Sequence, residues 1–203
     1  PLNGVQLPVH KCGYQVNSVF LYPLDIEFTN GEIGHAVINQ IDNQVFVYSS
    51  SGAQASEWDQ LGENSLITSL AAGSDIVFVA DAGKRRVLRY SPEGDLLGEF
   101  DGKAGDEVLH GFIIPSPCFD LDINADGELW VVNPGLHALE NYTSEGDFRT
   151  FWKKTSMKPE GFSGCCNPSH YTFLPDGRFV TSEKGLVRIK TYKRSGEFEG
   201  VVA

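Results

Sequence analysis

The chain has 203 residues, enough for one sizeable core, and a formal net charge of −11. That charge argues against binding nucleic acid through its phosphates, which needs basic surface; the one basic cluster, Lys84-Arg85-Arg86, reads as a solvated loop. No apolar stretch approaches the roughly 18 residues that read as a membrane-spanning helix.

Residues 1–16 carry no strand pattern and are expected to be an N-terminal segment or a partial repeat unit. The chain starts at Pro1 without an initiator Met, so processing or trimming is expected. Four units then follow, at about 17–60, 61–104, 112–154 and 162–203. Each carries a Tyr with a Gly four residues later: Tyr48/Gly52, Tyr90/Gly94, Tyr142/Gly146 and Tyr192/Gly196. Nine residues before each Tyr stands an amide or acid: Asn39, Asp81, Asn133 and Glu183. Three before it is an aliphatic: Val45, Val87, Leu139 and Ile189. Ten after it is a large apolar residue: Trp58, Phe100, Trp152 and Val202.

The third unit shows what each repeat is made of. Phe119–Ile123 alternates apolar and polar, as a half-buried strand does, and Asn124-Ala125-Asp126-Gly127 is a turn. Leu129–Val132 is a second strand, Asn133-Pro134-Gly135 a turn and Ala138–Tyr142 a third strand. Ser144–Asp147 turns again into a fourth strand, Phe148–Trp152. Four short antiparallel strands per unit, with no apolar stripe at helical spacing, predict an all-β propeller of four-stranded antiparallel blades. One blade cannot bury both faces alone, so the Tyr, aliphatic and large apolar columns are expected to fill the seams between blades. The Asn/Asp/Asn/Glu column, at a strand end before a turn, is expected to bond nearby backbone.

Ile76–Gly94 resembles an NHL repeat: a strand ending in Ala-Asp, a polar loop, an aliphatic strand and a Pro-x-Gly turn. Asn167–Phe173 is similar to that repeat's inner strand. The resemblance runs from Leu21 to Ala203, most clearly in units two to four. Gly161–Pro168 and Phe179–Val187 also resemble a bacterial subgroup of NHL-repeat proteins. NHL-like propellers usually close with six blades, and the fourth unit stops at Val201-Val202-Ala203 without a capping signal. The four visible blades are therefore expected to be part of a longer ring, with a four-bladed ring as the alternative.

The chemistry-bearing candidates are the four cysteines, Cys12, Cys118, Cys165 and Cys166, with His170 and Asp120. Superposing Gly127 on Gly177 places Cys118 over Pro168 and makes Asp120 the counterpart of His170. Cys118, Cys165, Cys166, Asp120 and His170 then all fall at or near the entry to an inner strand, and Asp120 and His170 are expected to line the channel. Three readings of the cysteines stand side by side. They are small core residues; or one of Cys165 and Cys166 is bridged to Cys118 or Cys12; or thiolates, with His170 as a further ligand, hold a transition metal ion or an iron–sulfur cluster. The bacterial subgroup can carry another Cys where Ser163 stands. Some NHL-like enzymes, the amidating lyases among them, build metal sites from inner-strand His and carboxylates and share a Cys-x-Pro entry, which Cys166-Asn167-Pro168 matches. No matching set of three His is present: His10, His35, His110 and His137 fall at unrelated repeat positions.

Other chemistries are excluded. There is no Gly-rich phosphate loop and no Gly-x-Ser-x-Gly elbow. Asp122–Gly127 opens like a calcium loop, but its twelfth position is Asn133 rather than a bidentate Glu. The Asn141-Tyr142-Thr143 glycosylation triplet overlaps the buried Tyr column. The expected function is a binding or scaffolding module engaging a protein, peptide or small ligand at rim and channel. The alternative is a metal- or cluster-bearing propeller with redox or lyase activity, so whether the chain is an enzyme stays open. An extracellular or periplasmic location is expected.

Overall fold

The structure, a computed structural model, describes residues 24–27, 31–103 and 110–203. These form sixteen strands and one 3-10 turn, Pro134–Leu136. The first sheet contains β1 (Leu24–Glu27), β2 (Ile33–Asn39), β3 (Gln44–Ser49) and β4 (Gln54–Glu57). The second contains β5 (Ile67–Ala72), β6 (Val77–Asp81), β7 (Arg86–Tyr90) and β8 (Leu96–Phe100). The third contains β9 (Leu121–Ile123), β10 (Leu129–Asn133), β11 (Ala138–Tyr142) and β12 (Phe148–Lys153). The fourth contains β13 (His170–Phe173), β14 (Phe179–Ser182), β15 (Ile189–Tyr192) and β16 (Phe198–Val201). Every sheet is an antiparallel meander in sequence order.

The inner strands pack side by side, β1 against β5, β5 against β9 and β9 against β13, so the sheets stand as consecutive propeller blades. Three apolar clusters fill the three seams. Val45, Val47, Trp58, Val79 and Leu88 join blades one and two. Phe78, Ala80, Val87, Leu121 and Val131 join two and three. Trp130, Val132, Leu139, Phe179 and Tyr192 join three and four. Strand alternation does this: Leu129 and Val131 face one neighbour, Trp130 and Val132 the other.

The repeat columns meet at these seams. Tyr90 stacks on Trp58 of the preceding blade with centroids 4.8 Å apart. Tyr142 on Phe100 and Tyr192 on Trp152 each repeat this at 4.9 Å. The Gly four residues on sits under the same ring with a positive φ, +92° at Gly146 and +77° at Gly196. A Cβ at either would come within 2.6 Å of Phe100 or Trp152. Glycine is required there by conformation and by space together. Gly52 shares the positive φ, at +81°, but has open space where the others meet a ring.

The Asn39/Asp81/Asn133/Glu183 column bonds local backbone as expected in the first blade, where Asn39 Oδ1 accepts from Ile41 N at 3.0 Å. In blades two and three it reaches further and pins the chain entering its own blade. Asp81 Oδ1 accepts from Leu66 N (2.9 Å) and Asn133 Oδ1 from Ile113 N (2.9 Å).

Candidate functional site

A polar belt crosses the inner strands of blades two to four. On β9, Leu121 turns into the seam with blade two and Asp122 points the other way, toward blade four, while Asp120, just before the strand, lies between the two. Ser69 Oγ of β5 donates to Asp120 Oδ1 at 2.7 Å. From β13, Tyr171 N donates to Asp120 Oδ2 at 3.1 Å, and His170 Nδ1 lies 3.4 Å from the same oxygen. Thr172 Oγ1 donates to Asp122 Oδ2 at 3.1 Å, and Ile123 N to Asp122 Oδ1 at 2.8 Å. One carboxyl thus joins three blades and the next joins two.

The two acids sit two residues apart, and their proton affinities are shifted in opposite directions. Burial pushes Asp120 up, but the imidazole of His170, Ser69 and the Tyr171 N–H outweigh it, so its carboxyl lies below the usual range. Burial, together with the Asp120 charge, pushes Asp122 up to about 6. The side chains of His170 and Asp120 keep about a tenth of their surface open, 11% and 13%, but both ring nitrogens of His170 are buried, so the belt lies just beneath the surface.

The structure brings His170 and Asp120 together, at the repeat-equivalent positions expected. The belt residues not singled out in the sequence are Ser69, Thr172 and Asp122, the last read only as the start of a calcium-like turn. The two-residue alternation through Asp120 and Asp122 was the available signal.

The described cysteines, Cys118, Cys165 and Cys166, do not assemble as a ligand set. Cys118 is fully buried and disulfide-bonded, so it offers no thiolate. Cys165 and Cys166 are both free, so neither is its partner. Their Sγ atoms lie 3.0 Å apart, Cys165 exposed and Cys166 buried. Cys12 and His10 lie outside the described residues. Among the described residues, no group of three or more His, Cys, Asp or Glu is placed to hold a metal ion. Two adjacent sulfurs fall short of the four-cysteine donor set of an iron–sulfur cluster, and no metal step is derived from them.

The loop carrying the free pair is firmly held. Asn167 Nδ2 donates to Ser163 O (2.7 Å) and Lys184 O (3.0 Å), and its Oδ1 accepts from Lys184 N (2.7 Å). His137, at a left-handed φ of 56° after the 3-10 turn, places Nε2 2.5 Å from Gly164 O and Nδ1 3.1 Å from Thr155 Oγ1. Blade three therefore grips the segment that leads into β13.

No protein-family model matches the chain, and no curated protein does. Among solved structures, the chain is similar to virginiamycin B lyase from Staphylococcus aureus. The TM-score is 0.59 at 19% identity, over 92% of this chain and 57% of the other. It is similar to hydrazine synthase of Kuenenia stuttgartiensis at TM-score 0.59 and 17% identity, over 96% of this chain and 51% of the other. A protein of unknown function from Bacteroides caccae gives TM-score 0.53 at 14% identity, over 88% and 58%. At these identities the likeness defines the fold, an all-β propeller, and the chain spans little more than half the length of each.

Proposed function

We propose that the chain is an NHL-like propeller segment that acts as a binding module, seating a small polar ligand or a peptide group on the belt. The supporting observation is that Asp120, Asp122 and His170 converge from adjacent inner strands just beneath the surface, where the side chains of His170 and Asp120 keep about a tenth of their area open. The Cys118 disulfide supports an extracellular or periplasmic setting. The test is a thermal-shift panel of amines, amino acids and cyclic peptides on the wild-type chain and on Asp120→Asn and His170→Ala. Ligands whose shift disappears in both variants support the belt as the seat. Ligands that shift all three proteins equally refute it.

A second reading, an acid–base catalyst, is favoured by one observation. Neighbouring carboxyls driven apart in proton affinity are the arrangement that separates an acid from a base. In this reading Asp122 holds a proton near pH 6 while Asp120, steadied by Ser69, keeps His170 oriented. A lyase with this fold has been solved as a catalytically inactive histidine-to-alanine variant with quinupristin. Incubating this chain with quinupristin and following the ligand by mass tests that chemistry directly. Turnover lost in Asp122→Asn supports it, and an unchanged ligand refutes it for this substrate.

A further inference from the structure

We propose that Cys165 and Cys166 form a thiol–disulfide exchange site that reduces small anionic disulfides and closes into a disulfide between sequence neighbours. Three observations carry this. The two sulfurs are already 3.0 Å apart, with Cys165 facing solvent and Cys166 behind it, the order needed for an attacking and a resolving thiol. The backbone around them is fixed by the three Asn167 hydrogen bonds and by His137 on Gly164 O, so the encounter of the sulfurs needs no loop search. The same chain carries a disulfide at Cys118, and disulfides persist where such exchange chemistry operates.

The Cys165 thiol loses its proton to solvent, and the thiolate attacks one sulfur of a small disulfide, RSSR. The S–S bond breaks and one RS⁻ leaves, taking up a proton as RSH. Cys166 then attacks Cys165 Sγ within the mixed disulfide and expels the second RSH. The protein dithiol is oxidised by two electrons and RSSR is reduced to two RSH. The hydrogen bond with Cys166 holds the Cys165 thiol above its usual range, so the first step quickens as pH rises. The Lys184 ammonium acts on Cys165 from across the Asn167 anchor and favours an anionic reagent such as oxidised glutathione. A ring closed between neighbours is strained and so readily reduced; the exchange is reversible, and an excess of the small disulfide drives it to the closed ring.

This site is independent of whatever the belt binds. The test incubates the native chain with a large excess of oxidised glutathione, alkylates the remaining thiols in denaturant and maps the peptides by mass. The expected result is a Cys165–Cys166 peptide lighter by two hydrogens with no glutathione attached. Cys166→Ser should instead retain the adduct at Cys165, at least about tenfold above the wild type, because the resolving thiol is gone. Phenylarsine oxide is a second probe that needs no variant: the two thiols replace its oxygen, releasing one water, in a one-to-one adduct. Retention of a glutathione adduct on the wild type, alkylation of both cysteines, or bonding of either to Cys118 would each overturn the proposal.

Discussion

The third and fourth blades face the same problem at the same repeat positions and answer it with different charges. In blade three, Asn133 and Glu140 lie under Tyr142. Glu140 Oε1 accepts from Asn133 Nδ2 at 2.9 Å and Oε2 from the Tyr142 hydroxyl at 2.6 Å. In blade four, Glu183 and Lys190 lie under Tyr192. Lys190 Nζ stands 3.2 Å from Glu183 Oε2, donates to Gly161 O at 2.7 Å and sits 4.2 Å above the Phe162 ring. Arg188 adds a second cation to Glu183 at 2.6 Å. Blade two has Leu88 at the Glu140/Lys190 position. Both polar clusters fasten the chain that enters their blade, through Asn133 to Gly111 O and through Lys190 to Gly161 O. The difference lies in charge. Glu140 has only neutral donors, and burial raises its proton affinity, whereas Glu183 is matched by two cations. A buried acid is therefore not by itself a sign of function here.

Removing a partner from the ionic cluster should have the largest effect. Lys190→Ala leaves Glu183 with Arg188 alone, takes the donor from Gly161 O and empties a buried space beside Phe162, and should cost about 3–4 kcal/mol in urea unfolding. A loss below about 1 kcal/mol would mean the fourth cluster is no more than packing. Next comes the seam beneath Tyr142. Gly146→Ala forces a Cβ against Phe100 at a left-handed φ and should cost about 2–3 kcal/mol. Gly52→Ala, with open space at its Cβ, should cost only about 1 kcal/mol. Equal losses would show that the ring contact contributes nothing.

Asp122, where blade three meets blade four, gives the third effect and a pH signature. Its proton affinity is raised on folding, so its contribution to stability is complete below the unfolded value of 3.8 and is lost as pH rises through about 6. Asp122→Asn should therefore stabilise the fold by about 2 kcal/mol at pH 8 and leave it unchanged near pH 3, read from unfolding curves at both. A flat difference across pH would place its titration elsewhere. Glu140→Gln should move stability least, within about 1 kcal/mol, because the amide can still accept from one neighbour and donate to the other. Its sign follows Asp122, a slight gain as pH rises, since the Glu140 proton affinity is also raised on folding.

Much of the fold could be read from the sequence because the constraint at each seam is local and repeated. A left-handed turn, a ring above it and a fixed four-residue spacing leave a visible column. The strands of the third blade fall where alternation and turn chemistry place them. The site was less legible. His170 and Asp120 could be matched by repeat position, but Ser69 reaches Asp120 across 51 residues, and no local pattern marks that meeting. The oxidation state of Cys118, set against the free pair at Cys165 and Cys166, depends on three-dimensional proximity, which spacing does not encode.

The nesting of the Tyr and Gly of blades two to four under a ring of the blade before has a practical consequence for anyone recombining such chains. The transferable module is not the sheet but the joint, which runs from one outer-strand ring to the following glycine, as from Trp58 to Gly94 or from Phe100 to Gly146. A crossover placed inside that interval separates a ring from the turn shaped to receive it. One placed just after the glycine keeps the joint whole, and chimaeras cut there should retain cooperative melting where sheet-by-sheet grafts lose it.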